Sequence, residues 1–197
     1  MIMLWRWRVT GSHRAPASAA SQPLPCLSVE LVDLPGYGPD DAVRVAGGEP
    51  DAFGTDHLGI EWRAKTVHVG LVDGDRLIGH AGWVPSGVRT AAGQDLAVLG
   101  LGGVMVHPDY RGRGLGAGLV EGAMQRMGSG GTALALLFCR TDRVAFYGRL
   151  GWVPVADPVT VEQAGGAIVM PLCTCWTSPA GGVHLPDGAL RLDGSPF

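Results

Sequence analysis

Alternation of polar and apolar positions over residues 28–31 predicts a first strand. Val67, Val69 and Leu71 alternate as a second, and Asp73-Gly74-Asp75 marks a hairpin turn after it. The returning strand is predicted over 76–88, with Leu77, Gly79, Ala81 and Trp83 on one face; after a turn at 91–94, another runs over 95–106. The period then lengthens. A polar turn at 107–112 leads into a helix over 112–127, with Leu115, Leu119, Ala123 and Met127 on one stripe. Residues 132–138 are an almost unbroken apolar run, the pattern of a central strand buried on both faces. Thr141 caps a short helix to Leu150, which Gly151 ends, and 152–155 and 167–172 are late strands. Pro39-Asp40-Asp41 opens an early helix whose dipole suits the two acids. This order predicts a mixed α/β sheet rather than a doubly wound one.

The Ser-, Ala- and Pro-rich start reads as a flexible leader over 1–25, ahead of a folded domain over 26–175 and a tail over 176–197 with little periodic pattern. The tail must pack on the domain or be disordered. Of the 197 residues, 46% are hydrophobic and 17% charged, which excludes wholesale disorder and a coiled coil. The net charge of −3 is unevenly spread: residues 1–25 carry +3, residues 26–63 carry −6, and the remainder is neutral. A nucleic-acid-binding body is excluded, since no cationic excess is available to neutralise phosphates. No apolar run is long enough to span a membrane, and Arg6 and Arg8 interrupt the only candidate signal segment, so a cytoplasmic protein is expected. The four cysteines, Cys26, Cys139, Cys173 and Cys175, form no paired CxxC units, and no metal site is expected.

The informative stretch is Val104-Met105-Val106-His107-Pro108-Asp109-Tyr110-Arg111-Gly112-Arg113-Gly114-Leu115-Gly116. A strand ends, a glycine-rich turn follows, and a helix starts at once. Glycines at alternate positions let the backbone approach a ligand, and the first-turn N–H groups form an anion cradle for phosphates. Arg111 and Arg113 add charge beside it. The dinucleotide fingerprint is not matched in order, and a Walker loop lacks its lysine, because the chain's only lysine is Lys65.

Arg111-Gly112-Arg113-Gly114-Leu115-Gly116 resembles the acyl-CoA-binding motif of the GNAT superfamily of N-acyltransferases, with Arg111, Gly114 and Gly116 at the patterned positions. Phe146-Tyr147 followed by Gly151-Trp152 resembles the second signature of that family. The resemblance covers about residues 27–172. It implies a GNAT fold, with a mostly antiparallel sheet of six to seven strands flanked by about four helices, and acetyl-CoA as co-substrate. Two branches look similar: the aminoglycoside 2′-N-acetyltransferases and the nodulation N-acyltransferase. Both have a strand like Ile78-Gly79-His80-Ala81 and a tail like Trp176 followed by Ala180-Gly181.

The resemblance implies that Arg111, Gly112, Arg113, Gly114, Leu115 and Gly116 hold the coenzyme pyrophosphate, and that the main chain of Val104, Met105 and Val106 pairs with its pantetheine arm. An N–H of Val104 or Met105 supports the thioester oxygen. Tyr147 stands where the family places its general acid; a phenol is protonated at neutral pH and can donate to a departing thiolate. His80 is a candidate base, with Asp95, Glu61 and a water chain as alternatives. The aminoglycoside branch has a Glu where this chain has Gly102. Arg140 replaces a frequent Asn and either contacts phosphate or lies in solvent.

The −6 segment lies where the acceptor enters in this fold. A polycationic amine would be drawn to Asp51, Asp56 and Glu61, and Trp83 and Trp176 could stack on a sugar ring. The expected activity is therefore acetyl-CoA-dependent N-acetylation of a primary amine on an amino sugar or aminoglycoside-like small molecule. The alternatives are a longer acyl-CoA, with room beside Gly100, Gly102 and Gly103, a peptide amine, or a non-catalytic acyl-CoA sensor. Homodimers are consistent with the family, and no residue names an interface.

Overall fold

Two long strands joined by a turn at 91–94 organise the fold: β3, Arg76–Thr90, and β4, Asp95–Val106, pair antiparallel over most of their length. The computed structural model describes residues 28–197; the leader drawn over 1–25, and Cys26, lie outside the described residues. Ahead of the long pair come β1, Val29–Leu34, the helix α1, Pro39–Ala46, and β2, Val67–Asp73, which turns into β3 through Gly74. After it come α2, Leu115–Ser129, β5, Leu134–Cys139, α3, Val144–Gly148, β6, Val153–Pro154, β7, Val159–Gln163, β8, Gly166–Val169, β9, Cys173–Thr177, and β10, Leu190–Leu192.

The sheet runs β6-β9-β5-β4-β3-β10-β7-β8, and β1 and β2 extend it from the first half of β3. The expected hairpins and the 95–106 strand form as read. The described residues hold ten strands, not six or seven, and three α-helices, not about four. The helix expected over 141–150 is a 3-10 turn, Thr141–Arg143, followed by the five-residue α3. The strand expected over 152–155 shrinks to β6, and that over 167–172 is β8. Neither β7, β9 nor β10 was anticipated.

Helix α2 lays Leu119, Ala123 and Met127 on the sheet, in a core shared with Val69, Ile78, Leu101 and Leu137. A second core forms on Val88, Val98, Leu136, Leu190, Leu192 and Phe197. The boundary drawn between 175 and 176 thus falls inside β9, and the following residues pack on the domain. Leu190 pairs across to Thr90 on β3 and in parallel to Val159 on β7.

Phe197 is 2% exposed, and its ring occupies the space that a side chain at Gly100 would need. Gly100→Ala is expected to destabilise the protein by about 1–3 kcal/mol through overpacking. Phe197→Ala removes the obstacle, so the double variant should cost less than the sum of the singles. Thermal unfolding of all four proteins checks this; strict additivity would show that the two positions are independent.

Candidate active site

Strands β4 and β5 run parallel, but they pair only from Val98 to Leu101 against Leu134 to Leu137. Beyond Leu101 the ladder stops while β4 continues to Val106, so 102–106 have no ladder partner in β5. On its other side β4 carries a bulge: Gly82 faces Gly102 and His80 faces Met105, so Ala81 opposes both Gly103 and Val104. Gly103 takes φ +61 to make it, a conformation that favours glycine.

The free end of β4 leads into the glycine turn. His107 accepts from the N–H of Asp109 and caps the short 3-10 turn Pro108–Tyr110. Gly112 and Gly114 follow with φ of 75° and 77°, and α2 begins at Leu115. Nothing stands within 4 Å of where a Cβ on either glycine would lie. Their conformation, not packing, demands glycine, and the open backbone leaves a ligand room to approach. The N–H groups of Leu115 and Gly116, at the start of α2, precede any intrahelical acceptor, so the turn is shaped for an anion.

The two arginines beside this cradle are engaged elsewhere. Arg111 donates from Nε to the carbonyl of Val106 at 2.9 Å and grips Glu49 with both terminal nitrogens at 2.9 and 2.6 Å. That grip holds the Glu49 carboxyl below its ordinary range. Arg113 donates to the carbonyl of Asp109 and lies over the Tyr110 ring. Arg140 is engaged as well: it pairs with Asp142 at 3.1 Å and fills the space beside Gly54. There it lines an open depression of about 550 Å³ together with His57, Leu58 and Leu172.

Tyr147 sits on α3, 9% exposed, packed edge-on against Phe146 and Trp152. Its neighbour Cys139 ends β5, past the point where β5 leaves β4. Burial, reinforced by the Cys139 and Cys175 thiols, pushes the phenol well above its ordinary range. The hydroxyl is therefore a proton donor at every physiological pH.

His80 flanks the same stretch of β4 from β3. It is 3% exposed, its ring stacks on Tyr37 at 3.5 Å, and its Nδ1 lies 2.8 Å from the carbonyl of Gly103. A carbonyl only accepts, so Nδ1 carries the hydrogen, and Nε2 accepts from Nδ1 of His68 at 3.0 Å. Burial brings His80 down to about 4, and it lowers His68 as well. Both rings are neutral near pH 7. They line a cavity of about 230 Å³ with Tyr37, Phe53, Lys65 and Met105.

The space anticipated beside the strand glycines is filled. Phe197 covers Gly100, Lys65 and the main chain of Phe197 cover Gly102, and the His80 ring covers Gly103. A glutamate at position 102 would have no room, which accounts for glycine there.

The acceptor-side residues separate. The Asp51 carboxylate accepts from the N–H groups of Thr55 at 2.9 Å and Asp56 at 3.2 Å, so it staples the loop. Asp56 and Glu61 are exposed, and the Glu61 N–H donates to Gln163. Trp83 and Trp176, expected to stack on a sugar, are 6% and 9% exposed and belong to the two cores. Asp95 is tied to Arg89 at 2.7 Å at the far end of β4, away from this site. The residues that reading the chain passed over are Tyr37, Phe53, Lys65 and His68. The signal available for His68 was its place on a strand beside His80.

Two solved structures share this fold. A GNAT family N-acetyltransferase from Escherichia coli in complex with CoA is 19% identical, with a TM-score of 0.54, over 88% of this chain and 94% of that one. A GNAT family acetyltransferase from Brucella melitensis in complex with acetyl-CoA is 18% identical, with a TM-score of 0.50, over 82% and 94%. A GCN5-related N-acetyltransferase from Kribbella flavida is 27% identical, with a TM-score of 0.49; the match takes in 64% of this chain but 34% of that protein. No curated protein matches the sequence. The family model of the acetyltransferase (GNAT) domain matches residues 57–155, half of the chain, and the chain belongs to that family.

Proposed function

We propose that the protein is an acetyl-CoA-dependent N-acetyltransferase that transfers the acetyl group directly to the primary amine of a small molecule. The observation that carries this reading is the gap between β4 and β5, with β4 leading straight into the glycine cradle; the Tyr147 phenol and the neutral His80–His68 pair are the groups proposed to act there. Gly112, Gly114, Leu115 and Gly116 would hold the pyrophosphate. The main chain of Val104, Met105 and Val106, which has no ladder partner in β5, would hold the pantetheine arm, and an N–H at the bulge would support the thioester oxygen.

The co-substrate supplies the acetyl group as a thioester. The amine nitrogen bonds to the carbonyl carbon and the carbon–sulfur bond breaks. Tyr147 gives its phenolic proton to the departing thiolate. The amine's surplus proton goes to His68, and the His80 hydrogen bond to Gly103 holds that pair in one tautomer. A neutral imidazole pair suits this task because the nitrogen becomes acidic only as its new bond forms.

Incubation with acetyl-CoA and separate amines, following free thiol, tests the reading. Release that requires an amine supports it; tight acetyl-CoA binding with no release from any amine favours a sensor. The likeness to the aminoglycoside and nodulation branches rests on sequence motifs, and among the acceptor residues only Asp56 and Glu61 remain exposed to receive a polycation. The long-acyl alternative loses its support with the filled glycine faces.

The Arg111–Glu49 pair yields a further expectation. Glu49→Gln frees the guanidinium beside the cradle and should tighten acetyl-CoA binding by about two- to fivefold, as one exposed charge contact permits. It should also steepen the salt dependence of binding, because a screened charge is added. Calorimetric titration at two salt concentrations checks this; weaker binding would show that Arg111 already serves the phosphates while paired.

A further inference from the structure

The two faces of the sheet differ where β4 and β5 part. On one face Leu99 and Leu101 of β4 and Leu137 of β5 enter the first core, with Leu119 and Tyr147. Leu101 and Leu137 are 1% and 2% exposed, so their own side chains close that face. On the other face β4 presents Val98 and then Gly100 and Gly102, which carry no side chain.

The missing bulk comes from Phe197. Three main-chain hydrogen bonds lay residues 193–197 on this face: the N–H of Asp193 donates to Gly87 at 2.9 Å, that of Glu162 to Gly194 at 3.1 Å, and that of Arg63 to Pro196 at 2.6 Å. The Phe197 ring then lies over Gly100 and meets the Phe138 ring of β5, with 5.0 Å between centroids. Phe138 is the first residue of β5 past its pairing with β4. The ring therefore bridges the two strands at the closed corner of the gap.

The direction of the donor sets what this ring meets. The glycine cradle follows β4, so the pantetheine arm would run back along Val106, Met105 and Val104 and bring the thioester to the bulge at Gly103. The acyl group, on the far side of the carbonyl, would then point on toward Gly102 and Gly100. It cannot continue between the strands, because they pair at Leu101 and Leu137. The room that the glycines leave is held by Phe197.

We infer that Phe197 is the specificity-determining residue for the acyl donor: its ring closes the far wall of the acyl site and confines transfer to the acetyl group and others of similar length. This rests on the N-acetyltransferase reading and deepens it by naming what limits the transferred group.

The test measures calorimetric affinity without amine, and thiol release with amine, for acetyl-, butyryl- and hexanoyl-CoA. Wild type should bind hexanoyl-CoA about tenfold or more weakly than acetyl-CoA, since the longer chain overpacks the corner. Phe197→Ala should raise the hexanoyl-to-acetyl ratio of affinities, and of kcat/KM, by about tenfold or more. Each methylene buried in the vacated apolar space is worth about fourfold. Should Phe197→Ala fail to fold, Phe197→Leu decides, with butyryl-CoA as the probe. Leu192→Ala is the control: it opens the same core, but Leu192 pairs with Val88 while Gly100 pairs with Val84, and the ratio should stay at its wild-type value. Equal affinity of wild type for hexanoyl- and acetyl-CoA would overturn the proposal. So would an unchanged ratio in the folded Phe197 variant, or an equal rise in Leu192→Ala, which would mark a general loosening of the core. No thiol release from acetyl-CoA with any amine would overturn the acetyltransferase reading, and the affinities would still decide the acyl wall.

Discussion

Tyr147→Phe is expected to lower kcat by about 10²–10⁴-fold, the usual worth of a positioned general acid. The structure makes this substitution a clean one. It removes one oxygen and leaves the ring itself unchanged. The ring keeps its edge-on contacts with Phe146 and Trp152, so α3 stays seated. Affinity for acetyl-CoA, which the glycine cradle and β4 main chain provide, should stay within about twofold of wild type, because the lost contact forms only as the thiolate departs. Pre-steady-state thiol release checks the chemical step directly. The phenol is held above its ordinary range by burial and by the neighbouring thiols, so no alkaline loss of turnover from Tyr147 should appear below about pH 10, its unshifted value. Near-normal turnover in Tyr147→Phe would assign proton donation to solvent.

The features legible along the chain were those with local causes. Strand β4 starts after the turn at 91–94 and ends at His107-Pro108, and both limits are written in neighbouring residues. The glycine turn and α2 were equally plain, because strand, glycines and helical stripe follow one another within about fifteen positions. Strand β10 was not legible: three residues, Leu190–Leu192, become a strand only by lying between β3 and β7, which are far away in sequence. Strand β9 is buried over four successive residues, Thr174 to Thr177, so it shows no alternation to read. In the site, Trp83 and Trp176 show the same limit. A tryptophan's affinity for sugar faces is a property of the residue, but whether it meets a sugar or a core depends on burial that only the tertiary structure sets. Asp51 looked like a ligand because it is acidic, and its loop consumes it.

Between pH 6.5 and pH 4 the protein should lose about 3 kcal/mol of stability through His80 alone, at about 1.36 kcal/mol per unit of displacement. The direction follows from the depressed folded value. Above about pH 6.5 the ring is neutral in both folded and unfolded chains, and the full stability is present. As pH falls toward 4, the unfolded chain binds a proton that the folded chain refuses, so unfolding is increasingly favoured. The groups around His80 explain the refusal: Tyr37 covers its face, His68 occupies Nε2, Gly103 fixes Nδ1, Lys65 adds positive charge, and Asp41 opposes the shift too weakly to cancel it. His68, lowered in the same sense, adds to the loss. Carboxylates such as Asp41 and Glu49 are held below their ordinary ranges, so their contributions fade at lower pH and leave the 6.5 to 4.5 window to the histidines. Urea unfolding across that window should therefore show a steep fall in wild type and a shallower one in His80→Gln. An identical slope in both would mean that His80 is solvated and titrates normally, and the neutral relay to His68 would go with it. With the relay intact, the acid limb of kcat/KM should follow the ammonium pKa of whichever amine is supplied, because the imidazole pair is already deprotonated wherever that amine can react.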